Sequence, residues 1–218
     1  MEKAYKNTGY FMLLLVLLVA IGFYQSYFSQ FPDFKENTTA LSHSRVAMFD
    51  HFHAALASIW ILFLIGQPLL IRYRRFKIHR LTGKISYLVF PLLILSFIVL
   101  IVRILHAEHP ILAYMPLSDG ILLILFYSLA IYNRKNTPKH MRYMIGTATV
   151  FFGPTFGRIG NHILGLQPHV TQNLHYAIIY AILIGLILID KKHGKNFKPY
   201  IIIGFAWIIN QFLFNVLL

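Results

Sequence analysis

The chain has 218 residues, 57% of them hydrophobic and only 12% charged, with a net charge of +13 and a mean hydropathy of +0.62. A soluble domain of this size could not bury so much apolar surface, so the composition excludes that class. Nucleic-acid binding is excluded by the charge distribution, since the basic residues sit in short connections between apolar runs and form no basic face with a recognition motif.

The apolar runs are about 20 residues long, the length that crosses a hydrocarbon core. They predict an all-α membrane protein, a single bundle of seven transmembrane helices over residues 9–28, 47–71, 83–105, 111–132, 142–164, 173–190 and 198–217. The first run lacks a small-residue cleavage site after its apolar core and is read as a retained anchor. The absence of cysteine removes disulfides, thiolate metal sites and iron–sulfur clusters.

Lys3 and Lys6 precede the first span. RYRRFKIHRLTGK follows the second, Arg134, Lys135, Lys139 and Arg142 follow the fourth, and Lys191, Lys192, Lys195 and Lys198 follow the sixth. These connections all fall on one side of the bundle and hold 16 of the 20 basic residues. The positive-inside rule then predicts a cytoplasmic N-terminus and an outer C-terminus, in a bacterial inner membrane. Eight of the eleven histidines fall on the outer side: His43, His51, His53, His106, His109, His162, His169 and His175. For His43, His109 and His169 a plain role as polar loop residues competes evenly with a functional one.

Polar groups inside spans are costly and face the bundle interior. Helical spacing puts Asp50, His53, Trp60 and Gln67 on one stripe of the second span. His51 lies off that stripe, as an interfacial residue. Ser86, Ser96, Arg103 and His106 align on the third span, and His140, Met144, Thr155, Arg158 and His162 on the fifth, with Asn161 beside them. At 1.5 Å per residue, His53 and Arg158 lie roughly 9 Å below the outer boundary and Asp119 roughly 12 Å below it. Arg158 or Arg103 is then the expected counter-charge of Asp119, and a purely structural pair is the competing reading. In the fifth span Pro154 predicts a kink, and Gly153 with Gly157 a close helix approach.

His53, His162, His175 and His106, with Asp50, form the candidate set for a metal ion or a haem b. Asp119, Arg158, Arg103, Gln67 and Asn161 form a candidate polar network, and His79, Arg80 and His140 a second group on the inner side. No His-Glu-x-x-His or Cys-x-x-Cys-His motif is present. Ser58 and Ser118 have no activating base in view, which weakens a hydrolase reading. The leading expectation is metal or haem binding in redox chemistry or respiratory assembly. The alternatives are a small-solute or proton-coupled transporter, and an assembly partner without a ligand. The bilayer is the main partner, with a second copy of the chain or a respiratory-chain protein beside it.

Two segments carry a family resemblance. HAALASIWILFLIGQPLLIRYRRFKIHRLTGK, residues 53–84, has a histidine entering a span, Gln67 fourteen residues later, then His79, Arg80 and Gly83 in an Arg-rich connection. HMRYMIGTATVFFGPTFGR, residues 140–158, pairs His140 with Met144 and a late Arg158. These resemble the bacterial multi-pass membrane family known as domain of unknown function 2306. The resemblance implies a helical inner-membrane protein and singles out His53, Gln67, His79, Arg80, His140 and Arg158, but implies no reaction.

Overall fold

The computed structural model describes residues 2–31, 48–106 and 110–218. His43 and His109 lie outside them. All regular structure among these residues is helical: α1 (Thr8–Gly22), α2 (Met48–Arg72), α3 (Phe76–Leu105), α4 (Tyr114–Tyr132), α5 (Thr137–Val150), α6 (Phe152–Arg158), α7 (Pro168–Lys192) and α8 (Lys198–Leu217), with a short π turn over Ile159–Ile163.

Six segments are long and apolar enough to cross a membrane: Lys3–Gly22, Phe49–Arg72, Phe76–Leu105, Ile111–Tyr132, Pro168–Lys192 and Lys198–Leu217. Their outer faces carry exposed Leu14, Leu17, Leu62, Leu88, Phe205 and Phe212, an arrangement that suits lipid and not water. The expected fifth span is instead the rod formed by α5, α6 and the π turn. It breaks at Phe151, between α5 and α6. Pro154 is the cause, because it has no N–H for the Val150 carbonyl and its ring crowds that turn.

α5 is less apolar than its neighbours because protein, not lipid, surrounds it. Arg142, Tyr143 and Ile145 through Val150 are all buried, against α4, α8 and α2. Gly146, Thr147, Ala148 and Thr149 keep this centre narrow. A β-carbon on Gly146 would come within 2.8 Å of the Ile203 side chain, so α8 packs directly on the α5 backbone.

The basic connection after α2 is shorter than expected, because α3 starts at Phe76 and not near residue 83. Arg74 closes α2 with a left-handed φ of 58°, and the Arg75 amide donates to the Leu70 carbonyl at 2.7 Å. That six-residue closure is a Schellman cap, here built without glycine. The same closure ends α7, with Gly194 at φ 61° and Lys195 N–H donating to Asp190 O at 2.8 Å.

α1 is also shorter than expected and stops at Gly22. Gly22 lies flat on α6, where a β-carbon would meet the Thr155 carbonyl oxygen at 2.9 Å. A second close approach joins Gly160 to Thr171 of α7. The expected Gly153–Gly157 contact is therefore replaced by Gly22 and Gly160. Gly157 has open space beside it, and Gly153 faces two polar side chains instead.

Candidate functional site

The α2 stripe points at α3, as its spacing predicts. Asp50 accepts two bonds from Nη1 of Arg103, at 2.7 and 2.8 Å. His53 Nδ1 lies 2.7 Å from Ser96 Oγ, and Ser96 in turn donates to the Leu93 carbonyl. Because the serine has one proton and gives it to Leu93, the His53 ring donates from Nδ1. Phe97 covers the His53 ring edge-on at 4.9 Å. His51 turns away, to the Tyr27 hydroxyl at 2.7 Å.

The Asp50–Arg103 pair is partly exposed, at 23% and 32% of the side chains. Solvent and salt screen such a pair, so it contributes no more than about 1 kcal/mol. Arg103→Gln is expected to lower the melting temperature of the purified protein by only a few degrees at low salt, and by less at 1 M salt.

Arg158 does not pair with Asp119. Its guanidinium lies 4.0 Å above the Phe23 ring, donates from Nη1 to the Pro154 carbonyl at 2.9 Å and from Nε to Ser26 Oγ at 3.3 Å. Both expected counter-charges are therefore engaged elsewhere, Arg103 by Asp50 and Arg158 by the segment just after α1 and by its own helix. Among the described residues Asp119 has no ion pair.

Asp119 nevertheless sits on the interior face of α4, one turn above buried Leu122 and Leu123. Its residue surface is only partly buried there, and its carboxylate packs against the α6 backbone. A β-carbon on Gly153 would lie 3.6 Å from each Asp119 carboxylate oxygen and 3.3 Å from Cε1 of His175. Carboxylate and imidazole thus face one point on the α6 backbone, made available by the missing side chain.

His175 is 1% exposed, and neither ring nitrogen has a hydrogen-bond partner among the described residues. Its ring is boxed by aromatic side chains: Tyr176 at 5.4 Å, Trp207 edge-on at 5.5 Å and Phe156 at 6.3 Å. The polar tips of that box are satisfied. Trp207 Nε1 donates to Thr149 Oγ1 at 2.9 Å, Tyr176 donates to Asn210 Oδ1 at 2.6 Å, and Tyr114 donates to the Asn210 carbonyl at 2.8 Å. In an apolar interior, leaving two ring nitrogens and a carboxylate without partners is costly, which makes this cluster the candidate site.

The other expected ligands do not join it. His162 and Asn161 are exposed on the π turn. His106 is exposed at the end of α3 and donates to its own Val102 carbonyl at 2.7 Å. Among the described residues no three His, Asp or Glu side chains converge as a metal-binding group. The metal or haem expectation draws no support from these contacts.

On the inner side, the Gln67 amide lies between Thr82 and His79; with its nitrogen turned to His79 it donates to His79 Nδ1 and accepts from Thr82 Oγ1 at 2.7 Å. His140 donates from Nδ1 to the Ala130 carbonyl at 2.8 Å, while Arg80 is exposed. The dominant inner feature is one that the charge pattern hid. Arg142, fully buried, donates to both oxygens of buried Asp190 at 2.7 Å, to Glu2 at 2.7 Å and to the Pro138 carbonyl at 2.9 Å. Tyr5 donates to Asp190 at 2.8 Å and accepts from Tyr200 at 3.1 Å. The knot ties the N-terminal segment to α5, α7 and α8. Asp190 itself was the available signal, as the one acid in the run LILID.

Compared with known proteins, the chain matches no family model, no curated protein and no solved structure.

Proposed function

We propose that the chain is a seven-pass carrier of a bacterial inner membrane, N-terminus in and C-terminus out, that binds a small solute and exchanges a proton at Asp119 and His175. The observation that carries this reading is that Asp119 and His175 meet at Gly153, the carboxylate with no ion pair and the imidazole with no hydrogen-bond partner among the described residues. A carboxylate without a cation in an apolar interior needs a proton or a ligand to offset its desolvation. An imidazole beside it adds a second group that can take up or release a proton.

The local backbone supports the same reading. Carriers set their sites beside interrupted helices, and the α5–α6 break lies two residues from Gly153. The broken rod would be the fifth pass, which restores the parity that the loop charges require. The kinship to the domain of unknown function 2306 family belongs to this proposal. It rests on the residues that carry the resemblance, His53, Gln67, His79, Arg80, His140 and Arg158.

The test uses purified protein in liposomes that hold a pH-sensitive dye, challenged with a panel of small amines, acids and sugars. Wild-type vesicles are expected to show solute-dependent proton flux, and Asp119→Asn to reduce it by at least about 100-fold, the lower end of the range for a positioned proton-transfer group. Equal flux from wild type and Asp119→Asn, with both folded, would remove the proposal.

A further inference from the structure

The chemistry around Asp119 narrows what the site holds. A groove of about 350 Å3 opens at the end of the bundle formed by the starts of α4 and α7 and the end of α8. Its size falls in the range of small-molecule sites, about 300–1,000 Å3. Leu112, Met115, Pro168, His169 and Phe214 line it, and no lining side chain is an acid, a lysine or an arginine.

Three helices lead from this groove to the buried cluster. On α4, Asp119 is one turn below Met115. On α7, His175 is two turns below Pro168, and on α8, Trp207 is two turns below Phe214. Tyr114 of α4 and Tyr176 of α7 both donate to Asn210, which lies on α8 between Trp207 and Phe214. The groove is therefore a mostly apolar mouth, and Asp119 and His175 lie one to two turns further along the helices that line it.

Resting on the carrier reading, we propose that the solute is a protonated amine carrying an apolar body, which enters by this groove and places its ammonium between Asp119 and His175. The carboxylate needs a cation, and neither Arg103 nor Arg158 provides it. A hard metal ion would want five or more oxygens, whereas the surroundings here are Gly153 and the rings of Phe156, Tyr176 and Trp207. An ammonium suits both sets of groups. One N–H donates to Asp119, a second donates to a ring nitrogen of His175, both of which are free of partners among the described residues, and aromatic faces nearby favour positive charge.

The test is a titration of the detergent-purified protein, followed by tryptophan fluorescence. The ligands are 2-phenylethylammonium, the neutral isostere 2-phenylethanol and the anion 3-phenylpropanoate. The amine is expected to bind saturably, the alcohol at least about tenfold more weakly, as the loss of a charge-assisted hydrogen bond implies, and the anion not at all. Asp119→Asn is expected to weaken amine binding by a similar factor. Met115→Trp, which narrows the groove and leaves Asp119 intact, is expected to slow association. Alcohol and amine binding equally to wild type would overturn the assignment without relying on any variant, and so would unchanged amine binding in folded Asp119→Asn. An unaltered association rate in Met115→Trp would remove the groove as the entrance. Asp119-dependent amine binding with no proton flux in liposomes would retire the carrier reading and leave the amine site standing. Flux without amine preference would do the reverse.

Discussion

Arg142→Ala is expected to destabilise the folded protein by about 3–5 kcal/mol, the usual cost of removing one partner from a buried ion pair. The guanidinium is fully buried and Asp190 is equally so. Removing the cation leaves the Asp190 carboxylate with the Tyr5 hydroxyl as its one remaining donor in the knot. It also frees Glu2 and removes the cation from beneath the Tyr5 and Tyr200 rings. The loss is cooperative, because the knot is what fastens the N-terminal segment to α5, α7 and α8. Thermal unfolding in detergent reads the effect directly. Two comparisons separate charge from packing. Arg142→Met with Asp190→Leu removes both charges while keeping side-chain volume, and is expected to recover most of the lost stability. Glu2→Gln keeps the central pair and is expected to cost no more than about 1 kcal/mol, since Glu2 lies at the partly open rim. An Arg142→Ala protein that melts with the wild type would mean that the pair adds nothing to the fold.

Which parts of this arrangement could be read from the chain follows from what each signal measures. Length and hydropathy report the solvent, so α2, α7 and α8 emerge near their observed bounds. Pro154 reports a missing donor, so the break in the fifth rod was legible too. Helical spacing reports direction on one helix, and it put Asp50 and His53 on one stripe, whose partners lie on α3. It does not report which helix is the neighbour, and there the expectations failed. Asp119 and Arg158 were matched by depth, but Arg158 leans over Phe23 and back onto Pro154. His162 shares a stripe with Arg158 on paper, yet the π turn carries it out to the surface. Arg142 was counted as a loop charge because the positive-inside rule counts residues without asking whether they are buried. Its partner is 48 positions away, a separation that no local pattern encodes. Composition alone placed the fifth rod among the lipid-facing spans, whereas its Gly, Thr and Ala content reflects a helix surrounded by protein.

Trp207→Ala is expected to cost about 3–5 kcal/mol, as for a large aromatic side chain lost from a packed core, and to disable the Asp119–His175 site at the same time. Trp207 is 1% exposed. Its indole fills the space between α8 and α5 and forms the edge-on wall of the His175 box. The Thr149 hydroxyl, which accepts from the indole, still donates to the Gly146 carbonyl, so the main loss is volume plus one hydrogen bond. Trp60 provides an internal control. It is also fully buried and packed on Phe90 and Tyr127, but its indole nitrogen has no partner among the described residues. Trp60→Phe should therefore be milder than Trp207→Phe by about 1 kcal/mol, the net worth of the missing hydrogen bond. The functional consequence separates the two sites further. With Trp207 reduced to alanine the His175 ring gains room to turn away from Gly153, and proton flux should fall even at temperatures where the variant remains folded. Trp60→Phe, remote from that box, should keep its flux. If Trp207→Ala loses stability but carries protons as the wild type does, the aromatic box serves packing alone and His175 needs no fixed orientation to act.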